Sequence, residues 1–490
     1  MLTKEQTRQL DGVLAIAGGI VVATFILVPR AGLWVAVGFI ALWFAKLVGQ
    51  SLCGKLDGLL LWWAGVFPLG YYFASFPRQQ AVVTLDRVVV AVVSLGLLLA
   101  KTDTAARVPG SLRQAGFAWF AFAAMASLTL RESLNPLNGV RSVLDSAVLP
   151  FLLGWCVIAR LDIRRCLPKM HTAVCISSMI CAGIAAAEII TAQDLLPIGT
   201  AAASYEGIIR PNGPFESNDN LALIGAVSLF FLLFLRSVLG PHLSAARRAL
   251  HFAGLAAAIG MALMPLFRSV AITLVLALII DTMWEQGASR RAWRVALIAA
   301  SVGVICIIGV FAPAVFEDRS SSGNVYGRVA ELQQSLRVFS EHPVLGVGFL
   351  NFHNYVAGEP RFVATYNGVS SLDWPHDNLA QVLTETGMLG FLPYVLSQIL
   401  LVRSMWKLRH LNSSGILAWK YLFYLFLTYW ITGLSESSGY GSLNLWFMFV
   451  VGVIYKYVLT EPEAALPGEE EIAREAFSAE GVTVAPAFLQ

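Results

Sequence analysis

A chain of 490 residues that is 57% hydrophobic and 13% charged is far more apolar than a soluble domain, where the figures are about 45–50% and 25%; one globular core cannot hold the excess. Its formal net charge of +3 is not concentrated in a basic domain that would bind nucleic acid. Unbroken apolar runs, in place of short alternating ones, exclude an outer-membrane type of β-barrel. The composition, with a mean hydropathy of +0.69, predicts an all-α polytopic integral membrane protein.

Taken in chain order, the first apolar run, Val13 to Val28, follows Lys4 and Arg8 and ends at Pro29-Arg30, where a signal peptide would carry small residues. The first span, near 11–29, is therefore expected to be retained. Further runs long enough for a hydrocarbon core lie near 31–49, 57–76, 84–100, 114–130, 142–159, 167–191, 219–238, 250–266, 269–286, 294–312, 377–402, 414–434 and 442–458. That predicts about 12–14 transmembrane helices, eleven of them in residues 1–312 and the last in 377–460. Alternate short connections hold 18 and 7 Lys or Arg. The richer set, from Lys46 to Arg409, is cytoplasmic by the positive-inside rule, and both termini with it.

Two external connections are longer: a loop at 192–218 and a large one at 313–376. Long loops on one face are where function tends to concentrate. In the second, Arg328 to Phe339 spaces Val329, Leu332, Leu336 and Phe339 as the apolar stripe of an amphipathic helix at the membrane surface. Residues 461–490, with seven Glu and one Arg, read as a disordered cytoplasmic tail. The six cysteines sit in or beside apolar runs and are expected to pack as small hydrophobes.

Ionisable residues at the edge of the apolar phase are the strongest functional signals, because holding them there costs several kcal/mol. Arg210 lies in IIRPNGPFESNDNLAL, where Pro211, Gly213 and Pro214 forbid a helix and Ser217 or Asn218 suits an N-cap. The segment reads either as a plain capped loop or as a rigid device that brings a cation to a helix N-terminus, whose unpaired N–H groups suit an anion. Arg268, just after Pro265, reads as the tip of a tight external turn, either snorkelling to headgroups or binding an anion. His376 lies in SSLDWPHDNLAQVLTETGMLG, where Pro375 fits the first helical position and Trp374 or Asp373 the cap. The helix dipole would then favour the neutral imidazole a general base requires, although a plain capping histidine fits as well. Second-tier candidates are Arg328, Arg141, Asn378 and Glu385, the last of which suits a structural ion pair equally. The remaining histidines are scattered and no DxD, HExxH or Walker A pattern is present, so neither a metal site nor a cofactor is expected.

Four motifs carry a resemblance: RPNGPFESNDNLA (Arg210 to Ala222), FRS (Phe267 to Ser269), RVFSEHPVLGVGFLNF (Arg337 to Phe352) and PHDNLAQVLTETGMLGFLPY (Pro375 to Tyr394). In this order the chain, over about residues 200–395, resembles the O-antigen ligase and O-antigen polymerase superfamily. The resemblance implies a GT-C-like fold with one large periplasmic loop in the bacterial inner membrane. It also implies a metal-independent inverting glycosyltransferase whose donor is a glycan on undecaprenyl diphosphate. Matched residue by residue, the diphosphate-binding arginines fall on Arg210 and Arg268 and the loop histidine on His376. Members often have Asn directly after that histidine; here Asp377 stands there, with Asn378 next, which puts a role for the amide in doubt.

The residues and the resemblance together give one expected mechanism. Arg210 and Arg268 hold the diphosphate as it leaves C1 of the sugar, and His376 takes the proton of the acceptor hydroxyl. Lipid A–core is the favoured acceptor, which makes the activity that of an O-antigen ligase. A polymerase would use a lipid-linked repeat and an oligosaccharyltransferase a protein hydroxyl. A transporter of lipid-linked sugars is the reading from another class, but it would show paired broken helices in two halves, and the sequence has no internal repeat.

Overall fold

The structure, a computed structural model, describes residues 29–73, 75–76, 81–99, 108–196, 204–205, 208–240, 243–284, 295, 322–357, 359–371, 375–434 and 441–460. Among these the fold is almost wholly helical. Helices α1 to α4 cover Pro29–Leu52, Asp57–Phe73, Leu85–Leu99 and Gly110–Thr129. Helices α5 to α8 cover Pro136–Val143, Leu149–Arg160, Ile163–Thr191 and Asn218–Leu239. Helices α9 to α12 cover Ala245–Leu263, Arg268–Trp284, Ser322–Glu341 and Phe352–Ala357. Helices α13 to α15 are Asn378–Leu408, Ser413–Gly433 and Gly441–Thr460. A helix lies on each expected span that falls within the described residues. The expected spans at 11–29 and 294–312, and the tail at 461–490, lie outside them.

Five of the described helical stretches are long and apolar enough to cross a membrane: Pro136–Arg160, Ile163–Thr191, Asn218–Leu239, Asn378–Leu408 and Leu443–Thr460. Others fall short of the roughly 20 residues a hydrocarbon core requires, such as the 15-residue α3 and the 17-residue α10. Among the described residues the sheets are three two-stranded antiparallel pairs. One of them pairs Thr365 with Ser370 and Tyr366 with Val369. Its turn is Asn367-Gly368, both at positive φ, the pairing of residues that suits a two-residue hairpin turn.

Helix starts follow from short polar side chains that accept the first orphan N–H groups. Asp162 caps α7 by accepting from Arg165 N, Ser217 caps α8 from Asn220 N, Ser244 caps α9 from Arg247 N, and Asn412 caps α14 from Gly415 N. Between α5 and α6 a π-helical turn spans Leu144–Val148. Pro150, which has no N–H, cannot bond back to the Ser146 carbonyl. That carbonyl instead accepts from Asn444 Nδ2 on α15, while Trp119 Nε1 on α4 donates to Ala147 O.

The core is a continuous apolar cluster running from α2 through α7, α8 and α9 to α14 and α15. Its centre is aromatic: Phe67 stacks on Trp446 at 5.2 Å and Trp63 meets Phe449 edge-on at 5.2 Å. Helix directions can be read from cross-helix pairs. Ser237, near the end of α8, meets Tyr421 Oη near the start of α14 at 3.0 Å. Asp281, near the end of α10, pairs with Lys420 and accepts from Tyr424 Oη. Helices α8 and α10 therefore run antiparallel to α14 and begin beside its C-terminal end. Gly433 closes α14, and a Cβ there would lie 2.7 Å from Asn378 Nδ2, so α13 begins at the same end.

Candidate functional site

One end of the bundle thus gathers the N-termini of α8, α10 and α13, with Arg210, Arg268 and His376 at or just before them. The non-helical run from Ile209 to Phe215 is buried throughout. Phe215 anchors it on the aromatic core through Phe67, and Gly213 N–H donates to Glu188 Oε2 near the end of α7 at 2.8 Å. Gly213 has φ +57°, a conformation glycine adopts without a Cβ clash. This rigid run fixes the Arg210 side chain, which is 6% exposed. Its Nε donates to Pro265 O at 2.8 Å and its Nη2 lies 3.7 Å from Asp219 Oδ1 in the first turn of α8. Pro265 belongs to the tight turn between α9 and α10, in which Leu266 takes φ +55°. Arg268 follows on the first residue of α10 and is exposed. The expected tight turn is present, but Pro265 and Leu266 form it and Arg268 opens the helix after it in place of standing at its tip; Arg210 is tied to the turn through the carbonyl of Pro265.

A second group forms just before the start of α13. His376 Nε2 lies 3.9 Å from Glu331 Oε1, and Arg328 Nη1 lies 3.6 Å from Glu331 Oε2. Glu331 is 4% exposed and sits on α11, which packs against α13. The expected capping scheme for His376 is corrected. Asp377 is the N-cap of α13: its Oδ1 accepts from Leu379 N at 2.7 Å and Ala380 N at 3.0 Å. A carboxylate three residues beyond Trp374 and four beyond Asp373 takes the cap, so Pro375 and His376 lie before the helix and not in its first turn. That cap also gives Asp377 an acceptor-only task. Asn378 follows it, buried against Gly433, and its Oδ1 has no hydrogen-bond partner among the described residues.

Helix α11 turns its polar residues inward, where the sequence alone would send them to water. Leu332 and Leu336 are exposed, while Ala330, Glu331, Gln334, Ser335 and Val338 are buried. Its polar stripe, not its apolar one, faces the protein.

Glu385 belongs to a different structure. It is 2% exposed, and in place of an ion pair it accepts backbone N–H groups: Leu350 N at 2.9 Å on Oε2 and Phe352 N at 3.4 Å on Oε1, with Gln381 Nε2 at 3.4 Å. Helix α13 is broken there at Gly387, with φ +59° and ψ −168°. Segment 343–352 fills the break: Val347 N and Gly348 N donate to the carbonyls of Thr384 and Glu385, and Met388 N donates to Pro343 O. A Cβ on Gly346 would lie 2.4 Å from the Glu385 backbone, and one on Gly387 would lie 2.2 Å from Val344 O. Asn351, fully buried, extends the clasp to Glu132 O and Leu134 N. Arg141 on α5 is half-buried and donates to Asn138 Oδ1.

No family model matches the chain, and no curated protein is significantly similar to it. The site therefore stands on its geometry. The fold brings Arg210 to the turn before Arg268 and brings His376 and Arg328 to Glu331; Glu385 and Arg141 have the packing tasks just described. Sequence reasoning missed Asp219 and Glu331, the carboxylates that hold these cations, and the polar stripe Glu331, Gln334, Ser335. That stripe was legible at i, i+3 and i+4 opposite the leucines, but on a surface helix polar residues are expected to meet water. Two guanidinium groups, one at the first residue of α10 and one held against the turn before it, suit a doubly charged oxyanion. An imidazole beside a carboxylate suits proton transfer.

Proposed function

We propose that this protein is a metal-independent inverting glycosyltransferase of the GT-C type in the bacterial inner membrane. It moves an O-antigen glycan from undecaprenyl diphosphate to lipid A–core on the periplasmic side. The observation that carries the reading is the convergence of Arg210, Arg268 and the His376–Glu331 pair at one end of the bundle. The opposite helix ends carry Arg160, Arg164, Arg165, Arg236, Arg247, Arg248, Arg403, Lys407 and Arg409, and the positive-inside rule then turns the site end outward.

In this mechanism the acceptor hydroxyl oxygen forms a bond to C1 of the donor sugar from the face opposite the diphosphate. The bond from C1 to the phosphate oxygen breaks and its electron pair leaves with the diphosphate. Arg210 and Arg268 stabilise that developing charge. His376 takes the hydroxyl proton, and Glu331 stabilises the imidazolium so formed. The exposed Leu332 and Leu336 of α11 rest on the lipid surface where donor and acceptor headgroups lie.

Purified full-length protein is to be incubated with lipid-linked glycan and, in separate reactions, lipid A–core, a second lipid-linked repeat, and a serine-bearing acceptor protein. Glycan transfer to lipid A–core is the expected result. Transfer only to the repeat or to the protein would make it a polymerase or an oligosaccharyltransferase. Movement of the donor across vesicles without any transfer would make it a transporter and end the reading.

A further inference from the structure

In the other half of the bundle the fold assembles a group that the sequence scatters over 80 positions. His171 and Cys175 stand one turn apart on α7, so they share a face, and His251 on the parallel helix α9 meets them. His171 Nε2 and His251 Nδ1 are 3.1 Å apart, and Cys175 Sγ lies 3.8 Å from His171 Nε2. One donor atom from each residue falls within 4.8 Å of the others, and all three side chains are fully buried. Gly254, one turn after His251, makes the approach possible, since a Cβ there would lie 2.8 Å from Cys175 Sγ.

We infer that His171, Cys175 and His251 bind one soft monovalent metal ion, Cu(I), as a structural link between α7 and α9. Ligands about 2.0 Å (imidazole) and 2.3 Å (thiolate) from one ion are separated from each other by about 3.3–3.6 Å in a tetrahedral arrangement, and a little more in a trigonal one. The observed separations bracket that range. A ring-to-ring hydrogen bond alone leaves the thiol with one long contact. A shared ion would give all three facing donor atoms, His171 Nε2, Cys175 Sγ and His251 Nδ1, one common partner. Thiolate with imidazole selects copper(I) or zinc over harder cations. Charge decides between these two. The Cys175 thiol releases its proton on binding, so Cu(I) gives a neutral centre and Zn(II) a net charge of +1. All three ligands are fully buried, and a net cation held there without a counter-charge is disfavoured. The site lies about 12 Å into α7 from its start at Ile163, at 1.5 Å per residue, away from the end that holds Arg210 and His376. It is independent of the proposed transfer reaction.

The test is competition for Cu(I) between the purified full-length protein and a chromophoric copper(I) chelator under reducing conditions, with Cys175→Ser and His251→Gln beside the wild type. The expected result is one Cu(I) per chain, held about 100-fold or more tighter than by either variant. Copper should raise the melting temperature of the wild type and leave that of Cys175→Ser unchanged, since only binding to the folded state stabilises it. The metal-free melting temperature of each variant establishes that it is folded, and Cys175→Ser retains the other five cysteines as an internal background. Equal copper retention in wild type and Cys175→Ser overturns the site. Stoichiometric zinc with no competing copper overturns the assignment of a monovalent ion.

Discussion

Two buried carboxylates on facing helices have opposite surroundings. Glu385 on α13 gives both oxygens to the backbone of segment 343–352, and its neighbours are glycines at positive φ and a carbonyl-lined break. Glu331 on α11 faces side chains instead, His376 and Arg328, at 3.9 and 3.6 Å. A carboxylate whose acceptors are filled by main chain is part of the scaffold; one that faces an imidazole and a guanidinium can change partner during a reaction. Burial alone, 2% against 4%, does not distinguish them. What distinguishes them is whether the partner is a group that can itself move or titrate.

That contrast is sharpest at His376. His376→Gln should lower turnover by about 10²–10⁴, the loss for a positioned base, with donor affinity and melting temperature close to wild type. Normal turnover at saturating donor would move the histidine into the scaffold class with Glu385. Next in size are the arginines. Arg210→Ala and Arg268→Ala should each reduce transfer by about 10²–10³, and lysine should restore only part because it lacks the planar fork. Their stabilities should differ: Arg210 is buried against Pro265 O and Asp219, so its loss should also lower the melting temperature, whereas exposed Arg268 should not.

For Glu385→Ala the order reverses. Two buried N–H groups lose their acceptor, at about 1–3 kcal/mol each, so thermal unfolding should occur several degrees lower while the folded fraction keeps turnover within a few-fold of wild type. A loss of turnover without a loss of stability would place Glu385 in the reaction. Gly387→Ala should unfold the clasp in the same manner, because both the φ of +59° and Val344 O oppose a side chain. The smallest effect is expected from chelation of divalent ions. Assay in excess EDTA should leave the transfer rate nearly unchanged, since the anion-facing groups are guanidinium and imidazole; a rate abolished by EDTA and restored by magnesium would contradict the mechanism.

The positions of the helices were legible in the chain because apolar run length and short polar caps act locally. Ser217 stands where its reading puts it, and the turn before Arg268 follows from Pro265 in an apolar stretch. The start of α13 shows the boundary of that legibility. Asp377 and not Trp374 or Asp373 caps α13, which is a contest among neighbouring residues that spacing alone does not decide. Likewise Glu385 was visible as a carboxylate that needed a partner, but its partners are main-chain N–H groups 33 and 35 residues away, and main-chain groups carry no sequence signal.

The sequence by itself determined the apolar helical architecture, the non-helical run after Arg210 and the stripe on α11, since each depends on residue type within a turn or two of helix. Only the tertiary structure decided which polar groups meet. It set Asp219 and Pro265 around Arg210, Glu331 between Arg328 and His376, and His251 beside His171 and Cys175. Those encounters depend on helix direction and rotation, which are fixed by packing summed over the whole core and so cannot be read from any one segment.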